Sequence, residues 1–466
     1  MTGARTEAAL ARAAALMPEA IAAWSDFLRV PSISAQPDHA GDCRRAAEWA
    51  RARLAGFGFS ASLMETDGHP VVLATHPGPG GDAPHLLYYG HYDVQPPEPL
   101  ELWPSPPFTP TIVDGPHGKR MVARGAVDDK GQVAAWLGAF AAWHAASGTM
   151  PVRLTVLLEG EEEIGSPHLE PFLAAHSAAL AADAAVISDT NLWDFTTPAI
   201  TTGLRGLLYV EIRARAAARD LHSGLFGGLA CNPLNELAAL LGALRDDAGR
   251  VRLPGFYDGV LVPDAAHKAA WDALGFDGAA FLGKVGLTTP VGEAGRGLLE
   301  RLWARPTADI NGIWGGYAGA GAKTVIPAEA GAKISFRLVP GQNPQAILMA
   351  FKKFLTERAH PDLKLTFHEL GAAPGIAVAT DLPVVAAARR ALAEEYGRPP
   401  ALIGCGASIP VVESFKRVLG LETLLMGFGL DDDQVHSPGE KFEIACFERG
   451  LRAHIRLLGH LAAMNR

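Results

Sequence analysis

The sequence predicts an α/β protein: a mostly parallel sheet covered by helices, with a smaller α+β domain inserted at 204–382. The outer domain is then formed by 1–203 and 383–466. Three observations carry this prediction. The first 200 residues alternate apolar strand-like runs with helix-like stretches, the rhythm of βαβ units. After "TTGLRG" the texture changes to strands that alternate apolar and polar residues, as antiparallel strands with one wet face do. The last 80 residues return to the first texture.

In chain order, "PHLLYYGHYDV" reads as a buried strand ending at Gly90, and "KGQVAAWLGAFAAWHAASG" as an amphipathic helix stopped by Gly148. The strand "VRLTVLL", the helix-like "SPHLEPFLAAHSAALA" and the strand "DAAVISDT" follow. In the insert, "LLYVEIRARAAARD", "GAKISFRLVP" and "LKLTFHEL" read as strands. "CNPLNELAALLGALRDDAG" and "NPQAILMAFKKFLTERA" read as helices, and residues from about 250 to 310 as loop-rich. The closing segments are a helix in "PVVAAARRALAEEYG", a strand in "ETLLMGFG" and a helix in "CFERGLRAHIRLLGHLAAMN". No internal repeat or low-complexity segment interrupts them.

At 466 residues the chain is too long for one ordinary domain. Its 48% hydrophobic and 20% charged residues suit a sizeable core. A net charge of −9 and the absence of a Lys/Arg run argue against nucleic acid or an anionic membrane as partner. Cys43, Cys231, Cys405 and Cys446 form no CxxC pair, which argues against a thiolate metal site or disulfide scaffold and fits a reducing compartment. No signal-peptide pattern or charge-free 18-residue apolar run is present, so the expectation is a cytoplasmic protein with no membrane span.

Ligands of open α/β sheets gather at the carboxyl ends of the strands. Here five strand-like runs are followed at once by His, Asp or Glu. They supply His91 and Asp93 in "YYGHYDVQP", Asp128 and Asp129 in "ARGAVDDKG", and Glu159, Glu161, Glu162 and Glu163 in "LLEGEEEIGS". Asp189 in "VISDT" and His436 in "DDDQVHSPGEKF" complete the set. Singly, each is as well explained by a solvated loop. Jointly, two imidazoles and several carboxylates at one sheet edge point to metal. Like charges packed this tightly repel unless cations separate them. Two divalent ions sharing a carboxylate, with an unligated glutamate as base on an activated water, explain the cluster.

These segments, together with "RDLHSG" and "GAKTVIP", resemble in order and spacing the dinuclear zinc metallopeptidases that include carnosinase, cytosolic nonspecific dipeptidase, aminoacylase and glutamate carboxypeptidases. The dipeptidase branch is the most similar. The resemblance implies a zinc aminopeptidase/carboxypeptidase-like catalytic domain, an inserted lid and dimerisation domain, and two divalent metal ions. Zinc leads, and manganese or cobalt suits the same ligands. It implies metal ligation by His91, Asp128 as the bridge, Glu163, Asp189 and His436. It implies Asp93 as the group orienting His91, and Glu162 as general base. In the family the Asp128–Asp129 bond is cis. Glu161 stands where relatives often have an uncharged residue, and reads as a solvent-facing acid.

From the inserted domain, the resemblance implies His222 acting across a homodimer interface on the scissile carbonyl and Arg337 clamping the substrate carboxylate. Thr324 and Asn311 would add polar contacts, and Gly406, Ala407 and Ser408 backbone donors. The chain departs from the dipeptidase branch at Gly404 and Cys405, where relatives often carry Arg-Glu. The implied reaction is hydrolysis of the amide bond of a dipeptide or short peptide with a free carboxylate end. Deacylation of N-acyl or N-carbamoyl amino acids is the alternative reaction, and a binding homologue without catalysis the alternative class.

Overall fold

The computed structural model describes residues 2–406 and 409–464. The chain forms two compact units. The first comprises Met1–Thr202, Val378–Ile403 and Pro410–Arg466; the second comprises Gly203–Ala377 and Gly404–Ile409.

The first unit is built on a large sheet whose centre is parallel. Strand His85–His91 lies between Arg153–Glu159 and Ala184–Ile187, and Thr423–Leu425 continues the parallel run beside Ala184–Ile187. Antiparallel strands flank this centre: the hairpin Ser60–Met64 and Val71–His76 on one side, Ala199–Leu204 on the other. The central strands are buried almost throughout, as parallel strands covered on both faces must be.

Helix Lys130–Ser147 buries nearly its whole circumference; most of the buried residues are apolar or small, with Lys130 and Gln132 the polar exceptions. It ends at Gly148, whose φ of 68° supplies the left-handed C-cap the sequence signalled. Helices Thr2–Leu28 and Ile444–Met464 pack on it. The latter buries Phe447, Leu451, Ile455 and Leu458 at helical spacing, and Phe447 stacks on Trp24 at 4.8 Å. Segment 166–181, read as one helix, is two short ones, Leu169–Ala175 and Ser177–Leu180, meeting at His176. Among the described residues no helix is long and apolar enough to cross a membrane.

The second unit is a four-stranded antiparallel sheet in the order Thr307–Gly315, Glu329–Leu338, Gly206–Arg215, Lys364–Ala373. Helices Pro233–Gly242 and Pro344–Thr356 share its core through Leu237, Leu240, Ile347, Phe351 and Phe354. Both start at Asn-Pro, the Asn side chain accepting backbone N–H bonds and Pro filling the first turn. Two features depart from the sequence reading. Short helices, including Ala265–Asp272 and Leu298–Trp303, punctuate the stretch read as loop. The edge strand Thr307–Gly315 was not expected, because a bulge at Asn311 breaks its alternation.

A buried polar link ties the C-terminal helix to the sheet. The His454 ring accepts or donates at both nitrogens, 3.1 Å from Tyr88 Oη and 3.1 Å from Ser188 Oγ. Burial pushes its pKa down to about 3. A histidine held neutral in the folded chain takes up its proton only on unfolding, so stability is full above about pH 6.5 and falls as pH drops toward 3. Between pH 7 and pH 5 the wild type should lose about 2 kcal/mol more than His454→Gln. Denaturant titrations of both proteins at the two pH values measure this difference.

Candidate metal centre

Parallel strands leave their carboxyl ends on one edge, and the pairing register aligns them here. His91 is the last residue of its strand and pairs with Glu159, the last of the neighbouring strand. Tyr89 pairs with Ile187, which places Asp189 just beyond the same edge. Asp128 arrives from the turn that opens helix Lys130–Ser147, and the Asp128–Asp129 peptide is cis. His436 comes from the loop before strand Lys441–Glu443, with a left-handed φ of 61°. A non-glycine residue adopts that conformation at a cost of about 1–3 kcal/mol, met by its surroundings.

Asp128 stands at the centre. Its Oδ1 lies 3.1 Å from His91 Nε2 and its Oδ2 2.9 Å from His436 Nε2. Asp189 Oδ2 is 3.8 Å from His91 Nε2, and Glu163 Oε2 is 3.1 Å from His436 Nε2. Two three-residue groups result, His91–Asp128–Asp189 and Asp128–Glu163–His436, with ligand atoms within 4.8 Å of one another and Asp128 in both.

The surrounding residues fix these atoms. Asp93 Oδ1 is 3.3 Å and its backbone oxygen 3.2 Å from His91 Nδ1, so the far nitrogen, Nε2, faces the carboxylates. Asp93 Oδ2 also accepts the Glu163 backbone N–H at 3.1 Å, and Gln95 Nε2 donates to Glu163 Oε2 at 2.8 Å. Asp129 Oδ2 accepts the His91 N–H. Glu440 braces Asp128. Its Oε1 accepts the backbone N–H groups of Val127 at 3.0 Å and Asp128 at 3.2 Å, and its Oε2 those of Gly125 and the Arg124 guanidinium. In "DDDQVHSPGEKF" nothing in the sequence marks Glu440 for this role.

The four glutamates of "LLEGEEEIGS" divide. Glu159 is buried, accepting Tyr89 Oη at 2.5 Å and Ser166 Oγ at 2.9 Å. Glu161 does not face solvent as expected: it is 5% exposed, paired with His168 at 2.8 Å and with the His69 N–H at 3.2 Å. A neighbour seven residues on closes around it, which spacing alone does not reveal. The Glu162 carboxylate has no hydrogen-bond or ion-pair partner among the described residues. Burial, against His91 and with Asp189, Asp128 and Glu163, pushes its carboxyl up to about 8.

The donor set fits divalent cations. His91 Nε2 is a buried ring nitrogen without a hydrogen bond, aimed between two carboxylates. Burial pulls the His91 pKa down, but Asp128 and Asp93 outweigh it and raise it. Asp128 and Glu163 carry His436 up to about 10. Burial and the neighbouring Asp128 hold Asp189 up at about 7. The acids thus draw positive charge onto each imidazole, a demand that metal ions meet with neutral rings. Imidazole nitrogen and carboxylate oxygen suit zinc, manganese and cobalt.

The residues expected from the inserted segment lie in the second unit. His222 and Val325 pair in a two-stranded ladder, and the Thr324 carbonyl accepts the Ser223 N–H at 3.1 Å, so His222 and Thr324 are neighbours. His222 is exposed, its Nδ1 accepting the Gly224 N–H. Asn311 is the exposed residue of the strand bulge. Arg337 sits on strand Glu329–Leu338 opposite Thr307. Gly406 is described; Ala407 and Ser408 lie outside the described residues.

The model of peptidase family M20/M25/M40 matches residues 87–460. The chain belongs to that family. This M20 peptidase is 34% identical over 379 residues to the human Beta-Ala-His dipeptidase, covering 80% of this chain and 73% of the relative. It is 31% identical over 401 residues to the Cys-Gly metallodipeptidase dug1 of Schizosaccharomyces pombe, covering 85% and 83%. Among solved structures, the M20 family metallo-carboxypeptidase Sso-CP2 of Sulfolobus solfataricus superposes with a TM-score of 0.82 at 30% identity, over 96% of this chain and 99% of that one. The M20 peptidase is therefore a metal-dependent peptidase.

If Glu440 braces Asp128, Glu440→Ala should weaken divalent-metal affinity by about 10–100-fold. Competition between the folded variant and a calibrated chelator for zinc or manganese reads the change.

Proposed function

We propose that this M20 peptidase cleaves the amide bond of dipeptides and short peptides bearing a free C-terminal carboxylate. The observation that carries the reading is Asp128, whose two oxygens reach separate imidazoles 3.1 and 2.9 Å away. One carboxylate between two histidine-bearing groups is the donor arrangement of a dinuclear hydrolase. The names of the human and S. pombe relatives, both dipeptidases, support the substrate class.

His91, Asp128 and Asp189 would hold one ion, and Asp128, Glu163 and His436 the other. Zinc is our first assignment. When bound, the ions polarise the scissile carbonyl and make water acidic enough to deprotonate near neutral pH. Glu162 is the base: it is the unpartnered carboxylate beside the ligands, and burial makes it a better proton acceptor than a solvated acid. It takes a proton from the attacking water as the O–C bond forms. It returns that proton to the leaving nitrogen as the C–N bond breaks, giving a carboxylic acid and an amine, and transfer of the acid's remaining proton yields the carboxylate and the ammonium. Asp93 keeps the His91 ring oriented throughout. Arg337 takes the terminal carboxylate with its planar fork of donors. His222 steadies the oxyanion, and Asn311, Thr324 and Ser408 contribute polar contacts to substrate.

On this reading the first unit is the catalytic domain and the second the lid and dimerisation domain. The edge strand Thr307–Gly315 supports a homodimer, because Ile310, Ile313 and Trp314 on it are 51%, 51% and 42% exposed. Apolar open edges are natural pairing surfaces. Light scattering should give about twice the 49.1 kDa chain mass, and Ile313→Lys with Trp314→Glu should reduce it toward one chain. Cys43 and Cys446 are buried free thiols, with Cys43 pushed by burial up to about 12, which supports a cytoplasmic setting.

Glu162→Gln should keep its metal content and lose at least 100-fold in kcat on a dipeptide. Turnover within tenfold of wild type, with metal retained, rejects the base assignment. N-acetyl and N-carbamoyl amino acids belong in the same assay panel, since deacylation would use the same proton transfers.

A further inference from the structure

The second unit contains a pocket of about 710 Å³ whose lining includes Arg205, Arg337, Thr307, Phe276 and Phe281. Arg205 immediately precedes strand Gly206–Arg215 and is 7% exposed. On that strand Leu207 pairs with Arg337, and Arg337 pairs on its other side with Thr307. Arg205 Nη2 donates to Thr307 Oγ1 at 3.0 Å and Nη1 to the Leu302 carbonyl at 3.1 Å, both neutral acceptors. Its Nε is buried without an acceptor. Among the described residues neither Arg205 nor Arg337 has a carboxylate partner.

Three of the four acids lining the pocket are committed elsewhere. Asp309 pairs with Arg245 at 2.8 Å, Glu293 with Arg305 at 2.8 Å, and Asp246 accepts the N–H groups of its own turn. Asp247 is exposed. Burial, and then the neighbouring Arg337, pull Arg205 down to about 10, so it remains a cation at neutral pH. The Asp309 carboxylate acts on Arg205 from beyond Thr307 but does not pair with it, and a buried guanidinium with donors to spare and no directly paired acid is costly unless an anion arrives to meet it. Arginine presents five N–H donors in a fork suited to a carboxylate.

We infer that Arg205 receives a second substrate carboxylate, and that the enzyme prefers peptides whose C-terminal residue is Asp or Glu. The inference rests on the reading of Arg337 as the clamp for the terminal carboxylate. Arg337 takes the main-chain carboxylate, Arg205 the side-chain carboxylate, and the aromatic part of the pocket the methylenes between them.

The test compares Ala-Glu with its neutral isostere Ala-Gln in one metal-loaded sample. Wild type should show kcat/KM at least tenfold higher for Ala-Glu. Arg205→Gln should cut that ratio at least tenfold, and Arg205→Lys should retain part of it. A ratio taken within one sample does not depend on the folded fraction, so a purely structural role for Arg205 would leave it unmoved. If Arg205→Gln does not fold, competitive inhibition of wild type decides: free glutamate should bind at least tenfold tighter than glutamine. Efficient cleavage of Ala-Gln with no preference for Ala-Glu overturns this inference and leaves the dipeptidase reading standing. Failure to cleave any dipeptide overturns both.

Discussion

The carboxylate of Asp128 is the constraint around which the first unit is organised. Each of its oxygens meets a different imidazole, and three more acids, Glu162, Glu163 and Asp189, crowd the same edge. With His91 fully buried and Asp128 nearly so, and only His436 half exposed, water screens these charges poorly, so the groups must be balanced against each other. The fold supplies this balance through geometry. Three neighbouring parallel strands deliver their ends to one line, and a helix entered through a cis peptide brings Asp128 over it. The loop carrying His436 closes the far side.

The rigidity behind that edge follows from the same packing. Helix Lys130–Ser147 is buried on nearly every face, so Asp128 hangs from an element that cannot roll. Lys130 is itself buried, its ammonium donating to the carbonyls of Phe27 at 3.2 Å and Val30 at 2.7 Å. Those bonds fasten the start of the helix to the end of the N-terminal helix. A site that must hold several like charges within hydrogen-bonding distance needs such a scaffold, because each ångström of slack relaxes the repulsion by moving a ligand away.

Much of this was legible in the chain. Apolar runs that stop abruptly in His, Asp or Glu are a strong pattern, and three of the five, those leading to His91, Glu159 and Asp189, are neighbouring strands of the sheet; Asp128 comes instead from a helix-opening turn and His436 from a loop. The helix Lys130–Ser147 and its stop at Gly148 were also plain, but its burial on nearly every side was not, because the amphipathic reading left one face to solvent. The illegible parts share a cause: they depend on partners distant in sequence. Glu440 works by accepting main-chain N–H groups more than three hundred residues earlier, and no periodicity marks that task. Glu161 looks like any loop acid until His168 and the His69 backbone enclose it. Strand Thr307–Gly315 hid because Asn311 and Gly312 interrupt its two-residue rhythm where the bulge forms. Arg205 reads as an ordinary residue after a strand, and only the folded structure shows it without a paired acid among the described residues.

The loop from His436 to Glu440 has one more implication. Within five consecutive residues it carries both an imidazole that meets Asp128 and the carboxylate that pins Asp128's own backbone. A displacement of this single segment therefore disturbs the shared oxygen donor from two directions at once, so the two halves of the centre assemble and come apart as one unit.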